Sequence, residues 1–490
     1  MATSRGRAGV CLAVGLSSLL GCNAGHPSSE QMKDVNRLFH DRAPLDWDVA
    51  RLFKQTDMPP EPTGELTLRM ATEIALSHNL SLIASGENLS IAHAQLAQAG
   101  LIQNPTIGES SGLLFPISPH GGYPSVDGNI SEMLNSIFTR STRVNSAKVQ
   151  ELQANIDMAN QAYLLAQQVD GKYQEMIELL RRKKLAQRTE DLYERAVKAA
   201  EARQRVGIIA TPELNRARLD YQDARRMVMH LTTQYARASG EMNWLMGYST
   251  MPVWHLPQSA VDDVGEVPKI PDIAALELLG GSYRLDLLRA DFDRRVGQRG
   301  IELAKLGLIP QITVGAEVAR DSQHNVVGGP WLVGITLPIF DPGFVALELA
   351  KAQARKAEKT YAALSGQVHQ DIRTAFANWR IAADDVSFYR QSLIPQQEEN
   401  VRLMEMSFRL GNDDLDTLLN VYQNYVSQLQ SYEDAIQAYH DSAVALQQAV
   451  GLTWERITGQ PDAASEPAPS SQPAATPPST QPATNLEPAP

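Results

Sequence analysis

Three kinds of side chain in this 490-residue sequence could do chemistry: a cysteine near the start, a cluster of aspartates and a group of methionines. Cys22 follows a basic and apolar leader that contains the other cysteine, Cys11, so its removal leaves Cys22 as the only thiol. A lone thiol builds neither an intrachain disulfide nor a cysteine metal site, and covalent modification is the chemistry left to it. Asp413, Asp414 and Asp416 follow Gly411 at the start of a helix-like run, where acids cap the first turn and complement the helix dipole. Met227, Met229, Met242 and Met246 could be soft metal ligands, but they fall on a helical stripe, where methionine packs. The ten histidines lack a spacing such as His-x-x-x-His, and neither a Gly-rich phosphate loop nor a Ser nucleophile elbow is present. The sequence therefore predicts no enzyme, no metal site and no cofactor.

The elements that position these residues begin with the leader. Arg5 and Arg7, the apolar run Ala8 to Leu20 and Leu19-Leu20-Gly21-Cys22 make residues 1–21 a signal peptide ending in a lipobox. Cys22 is then the lipid-modified N-terminus; ordinary secretion with an incidental Cys22 is the alternative. Asn23 after the cysteine is compatible, by resemblance to bacterial lipoproteins, with the outer membrane. The formal charge is −12, or −14 without the two leader arginines, and no basic block is present, which argues against a nucleic-acid partner. No later apolar run has the length of a spanning helix, so any bilayer crossing must use strands closed into a barrel.

The body reads as one unit written twice. Val206-Gly207 precedes Gly247 by forty residues, and Leu410-Gly411 precedes Gly451 by forty, both displaced by 204. Pro105 and Pro310 open strand-like stretches, and Ile137-Phe138 and Ile339-Phe340 close them. The expected plan is a tether over 22–64, a first repeat over 65–250, a Pro-rich linker over 251–271, a second repeat over 272–452 and a disordered Pro/Ala/Ser/Thr tail over 460–490. Each repeat is helix, two strands, long helix, glycine tip and return helix. Within them, a first helix covers Leu66 to Asn104, and one helix of about 65 residues, or two stacked ones, covers Thr139 to Arg205. Thr211 caps the return helix ahead of Pro212, and Pro395 kinks or restarts the second long helix.

Periodicity supports this plan. Leu415, Leu418, Tyr422 and Tyr425 begin a run to Val450 that steps by three and four, and Leu214, Ala217, Tyr221 and Ala224 begin its counterpart. Such a stripe is a coiled-coil seam and by itself says nothing of transport. Ile312, Val314, Ala316 and Val318 alternate with smaller or polar residues, as do Trp331, Val333, Ile335 and Leu337, which suits a wall between lipid and water. Thr106–Phe115 and Gly128–Phe138 are the weaker first-half strands. Four strands do not close a barrel, so three or more copies must share one. The fold class expected is mainly α with a small β portion.

Duplication, lipobox, Asn104-Pro105 and the tip glycines together resemble the TolC family of outer-membrane efflux channels, in register over roughly Leu66 to Gly451. The resemblance implies a homotrimer sharing a twelve-stranded outer-membrane barrel continuous with a long α-helical tunnel. It also implies partnership with a periplasmic adaptor and an inner-membrane pump of the RND kind or similar, and contact with outer-membrane lipid. The adaptor-contacting turns would be Val206-Gly207-Ile208 and Leu410-Gly411-Asn412, whose third residues depart from the family pattern. Asp416 best matches an acid that rings the channel entrance, with Asp413 or Asp414 as candidates for a second ring, since Leu419 and Asn420 stand where the next acid falls. Helix capping is the alternative reading for all three aspartates, of which Asp413 lies nearest the turn. The implied function is the passive exit duct of a tripartite exporter; a periplasmic coiled-coil lipoprotein without a pore is the alternative.

Overall fold

A computed structural model of the chain describes residues 26–45, 47–53, 65–102, 106–110, 125–129, 131–250, 252–262, 267–306, 308, 311–321, 326–328, 331–336 and 343–459. Cys22, the leader and the tail at 460–490 lie outside the described residues. In chain order the elements are α1 (Ser29–His40), a 3-10 turn (Val49–Phe53), α2 (Leu68–His78), α3 (Leu80–Ala99), β1 (Thr106–Ser110) and β2 (Ser125–Asn129). Then come α4 (Ser131–Arg205), α5 (Thr211–Leu245), α6 (Gln258–Asp262), α7 (Ile273–Tyr283), α8 (Leu285–Leu306), β3 (Gln311–Asp321), β4 (Val326–Gly328) and β5 (Trp331–Thr336). The last are α9 (Phe344–Phe388), a π turn (Tyr389–Leu393), α10 (Ile394–Leu410), α11 (Leu415–Val450) and α12 (Trp454–Thr458). No helix among the described residues is long and apolar enough to cross a membrane.

The two repeats share backbone angles and equivalent hydrogen-bond partners at the breaks between their first helices. Asn79, between α2 and α3, has φ −65° and ψ 118°; Arg284, between α7 and α8, has φ −64° and ψ 121°. The Asn79 amide donates to the Leu245 carbonyl at 2.9 Å, and the Arg284 guanidinium to the Ala449 carbonyl, 204 residues on, at 3.4 Å. Two unlike side chains thus satisfy the same orphan carbonyls at the ends of α5 and α11. Each return helix then stops on a glycine at positive φ, Gly247 at 82° and Gly451 at 78°. The single helix expected from Leu66 to Asn104 is accordingly two, α2 and α3, because Asn79 leaves the helical region to cap α3, accepting from the Leu82 amide at 2.9 Å.

At one end of the helices the strands form one antiparallel sheet in the order β1-β2-β3, with β5 and β4 both on the far side of β3. Gly128 faces Ala316 across β2 and β3, while Ile312 faces Ile335, Val314 faces Val333 and Ala316 faces Trp331 across β3 and β5. The apolar alternations of β3 and β5 therefore run in phase. Among the described residues β1, on one side, and β4 with β5, on the other, are left as open edges. The first-half strand expected over Gly128–Phe138 is corrected: β2 ends at Asn129, and α4 begins at Ser131. Met133, Leu134, Ile137 and Phe138 step by one, three and one, which fits a helix face better than period-two alternation.

The tether expected over 22–64 is corrected as well. Within it α1 and the 3-10 turn bury Val35, Phe39, Trp47, Val49 and Leu52 in the same core as α2 to α5. Trp47 packs edge-on against Phe39 and donates its indole N–H to the Leu76 carbonyl at 3.1 Å. The segment also reaches the far end of the chain, since the Thr453 amide donates to the Arg42 carbonyl at 3.0 Å. The Pro-rich stretch after α5 packs too, with Trp254 buried and donating to Asn243 Oδ1 at 2.8 Å.

Long antiparallel pairs make the remainder. α4 packs along α5, and α9 with α10 along α11. The seam residues Leu214, Ala217, Ala224, Leu415, Leu418 and Tyr422 are buried, and the alanines let backbones approach. Met242 and Met246 are core residues, which gives them the packing role. Pro395 sits in the first turn of α10 directly after the π turn. A proline lacks the N–H for an i→i−4 bond and crowds the carbonyl four residues back, so the helix widens locally and restarts.

Candidate functional site

Both helix hairpins turn at the end opposite the sheet, and the two turns are built alike. α4 closes with the Ile208 amide on the Arg203 carbonyl at 2.9 Å, and α10 with the Asn412 amide on the Ser407 carbonyl at 3.1 Å. These six-to-one bonds are Schellman closures, and they require a left-handed residue just past the helix. Gly207 at φ 75° and Gly411 at φ 80° supply it. A Cβ at either glycine would meet nothing within 4 Å, so space does not demand glycine there; the backbone does.

The apolar residues flanking these glycines face outward. Val206 is 70% exposed, Ile208 67% and Leu410 71%. Gly411 and Asn412 are exposed beside them. Large apolar side chains held at the apex of a helical hairpin gain nothing from the protomer's own core, and that arrangement suits contact with another protein.

The two apices are fixed to each other. Arg203 donates from Nη2 to the Phe408 carbonyl at 2.5 Å, and its guanidinium lies 3.6 Å from the centre of the Phe408 ring. Below this contact Tyr193 and Tyr422 meet edge-on at 6.3 Å, and the Tyr422 hydroxyl donates to Glu405 at 2.7 Å. Burial together with Glu405 pushes the Tyr422 hydroxyl well above its ordinary range, so it stays a donor at every physiological pH.

The three aspartates divide their work. Asp414, not Asp413, caps α11: its carboxylate accepts from the Thr417 amide at 2.8 Å, and Thr417 holds it below the usual carboxylate range. Asp413 accepts a short hydrogen bond from the Ser407 hydroxyl inside the turn. Asp416 leaves its own hairpin and pairs with Arg216 of α5, Oδ1 to Nη1 at 3.0 Å. The same guanidinium donates from Nη2 to Asn420 Oδ1 at 3.1 Å, and Arg216 and Asn420 are themselves 204 residues apart. Both members of the pair are about half exposed, so the pair is weak as a stabiliser but close enough to mute the carboxylate's field. Arg203 and Arg216 escaped the sequence reading because nothing local marks them. The offset of 204 was the one signal that could have aligned Arg216 with Asn420.

α5 begins at Thr211 with Ala210 in the cap position and Pro212 and Glu213 in the first turn, so the expected Thr211 cap shifts by one residue.

Residues 282–452 match the family model described as outer membrane efflux protein. The cobalt-zinc-cadmium resistance protein CzcC of Cupriavidus metallidurans is 26% identical over 383 residues, which is 76% of this chain and 87% of CzcC. The toluene efflux pump outer membrane protein TtgC of Pseudomonas putida is 23% identical over 286 residues, 56% of this chain and 58% of TtgC. Among solved structures, the outer-membrane channel OprN superimposes with a TM-score of 0.66 at 16% identity, over 81% of this chain and 95% of OprN.

Proposed function

Because the chain belongs to the outer membrane efflux protein family, we propose that its copies join their sheets into one outer-membrane β-barrel above a periplasmic helical tunnel, forming a passive exit duct for substrate. The observation that carries this reading is the pair of open sheet edges, β1 and β4 with β5, at one end of two long helix hairpins. An edge strand exposed to hydrocarbon leaves its N–H and C=O groups unpaired, and only closure removes it. β4 and β5 pair with successive stretches of β3 and share one position, so each sheet is four strands wide and three copies placed edge to edge close a twelve-stranded barrel. Cys22 adds a lipid anchor to the same membrane.

The tips supply the docking end. Val206, Gly207, Ile208, Leu410, Gly411 and Asn412 meet a periplasmic adaptor, which links the duct to an inner-membrane pump of the RND kind or similar. Metal cations are the cargo this reading favours, on the strength of CzcC, the relative that matches along the greater share of both chains. The duct couples to no energy source of its own and acts as no enzyme.

Heat-modifiable oligomers in the outer-membrane fraction, conducting in planar bilayers, are the expected result. A monomer in the periplasmic extract that never conducts would sink the duct and leave the coiled-coil lipoprotein. For the anchor, Cys22→Ala should abolish labelling by a radioactive fatty acid; labelling that persists removes Cys22 from this role.

A further inference from the structure

The helices change character where they approach the strands. The twenty residues nearest the sheet on each of α3, α4, α8 and α9 together hold twelve Lys and Arg against seven Asp and Glu, whereas the whole chain carries 44 against 56. An acidic protein thus concentrates positive charge in one band. Of the acids in that band, Asp291 is taken up by Arg294 and Arg295, Glu348 by Lys351, and Glu358 lies 3.8 Å from Arg294. Lys148, Arg299, Lys305 and Lys356 are exposed and form no ion pair among the described residues.

Two further features give the band a direction. At its sheet-side margin are exposed apolar side chains: Leu101 and Ile102 after α3, Phe344, Val345 and Leu349 at the start of α9, and Leu303 just behind Lys305 at the end of α8. Arg140 and Arg143 are held at that level, donating to the Gly100 and Leu101 carbonyls at 2.8 and 3.1 Å. Below this margin, α4 and α8 enclose a cavity of about 750 Å³ lined by Ser146, Arg295, Arg299 and Glu302 among others. On α9 the strands are followed by Phe344, Val345 and Leu349 and then by Lys351, Arg355 and Lys356, the order met on leaving a bilayer, while on α8 Lys305 and Leu303 share the boundary. The stems of Lys and Arg lie along the apolar layer while their heads reach the headgroups.

We propose that this band is a headgroup collar, binding the phosphate-bearing anionic lipids of the leaflet that faces the periplasm. It rests on the reading of the sheet as a membrane barrel, and it fixes how deep the barrel sits. Lys305, in the last turn of α8, stands nearest the strands, with Arg299 about 9 Å further from them along the helix. Lys356 and Lys148 extend the collar on α9 and α4. The occupant is a lipid surface rather than a soluble anion, because the cations are spread over three helices, α4, α8 and α9, and exposed apolar side chains adjoin them.

The test uses the full-length protein reconstituted in phosphatidylcholine bilayers with trace spin-labelled phosphatidylglycerol or phosphatidylcholine. Electron paramagnetic resonance reads the fraction of each lipid immobilised by protein. The expected result is a preference for phosphatidylglycerol that falls by at least half in the K148Q/R299Q/K305Q/K356Q variant and on raising salt. Inorganic phosphate at matched ionic strength should not displace the lipid. Equal immobilisation of the two lipids by the parent, an unchanged preference in the variant, or displacement by phosphate would overturn the collar. If the fourfold variant fails to assemble, Lys305→Gln and Lys356→Gln singly should each lower the preference while Lys305→Arg and Lys356→Arg keep it. Conductance of the same parent preparation checks the barrel separately: a conducting protein without lipid preference refutes the collar alone.

Discussion

Arg203 ties the apex of one hairpin to the apex of the other, resting 3.6 Å from the Phe408 ring centre while donating to the Phe408 carbonyl. The stacked cation and the hydrogen bond each contribute about 1 kcal/mol in comparable settings. Arg203→Ala should therefore speed amide hydrogen exchange in both turns, around Gly207 and Gly411, with little change at the sheet. Faster exchange confined to the first turn would mean that the apices move independently.

The Arg216–Asp416 pair makes opposite predictions for its two members. If Asp416 faces the tunnel entrance, Asp416→Asn should reduce cation preference in planar-bilayer recordings and weaken block by multivalent cations. Arg216→Ala unmasks the carboxylate and should raise that preference. Only a constricted entrance lets such charges act, since 0.1 M salt screens beyond about 10 Å. Identical selectivity in both variants and the parent would confine the pair to holding α5 against α11.

Asp414 and Asp413 separate by pH and by substitution. Thr417 depresses the Asp414 carboxylate, so its contribution is full above the unfolded value near pH 4 and is lost as pH falls through the lower folded value. Asp414→Ala should thus fray the first turn of α11 at neutral pH, whereas Asp414→Ser should not. Nuclear magnetic resonance or exchange at the Thr417 amide reads this directly. Asp413→Asn keeps an acceptor for Ser407 and should leave the turn intact.

His440 gives a second pH window. Burial, with Arg181 adding to it, pushes this imidazole down to about 4. The unfolded chain takes up the proton near pH 6.5 and the folded chain does not, so this contribution is full above pH 6.5 and shrinks as pH falls toward 4. The parent should lose Tm more steeply than His440→Gln between about pH 7 and pH 5. Parallel Tm curves would mean that His440 titrates freely.

Positive-φ glycines at the tips and at the end of α5 should not tolerate alanine equally. Gly207→Ala and Gly411→Ala meet open space and cost only the left-handed backbone, about 1–2 kcal/mol. Gly247→Ala would also place a Cβ 2.2 Å from the His78 carbonyl oxygen, and its loss of stability in denaturant should exceed that of the tip variants. A bulky Gly411→Trp should leave assembly intact yet weaken adaptor cross-linking and export; unaffected export from both bulky tip variants would reduce the turns to connectors.

Much of this protein was legible along the chain because it is written in local rules. The seam from Leu415 to Val450 follows from helix geometry, the apices at Gly207 and Gly411 from the left-handed residue a Schellman closure needs, and the duplication from an offset of 204 that both obey. The restart at Pro395 follows from a missing N–H. Tertiary structure alone decided the rest. Phe39 and Trp47 enter the core because α2 offers them an apolar surface and a free carbonyl, while their own neighbourhood is polar and Pro-bearing. Residues after Asn129 coil into α4 where weak alternation had suggested a strand. Asp416 finds Arg216 two hundred residues away, across a packing of α5 against α11 that neither helix encodes by itself. Periodicity and backbone chirality act within a few residues and can be read from them; the partner of a charge is set by which distant helix arrives beside it.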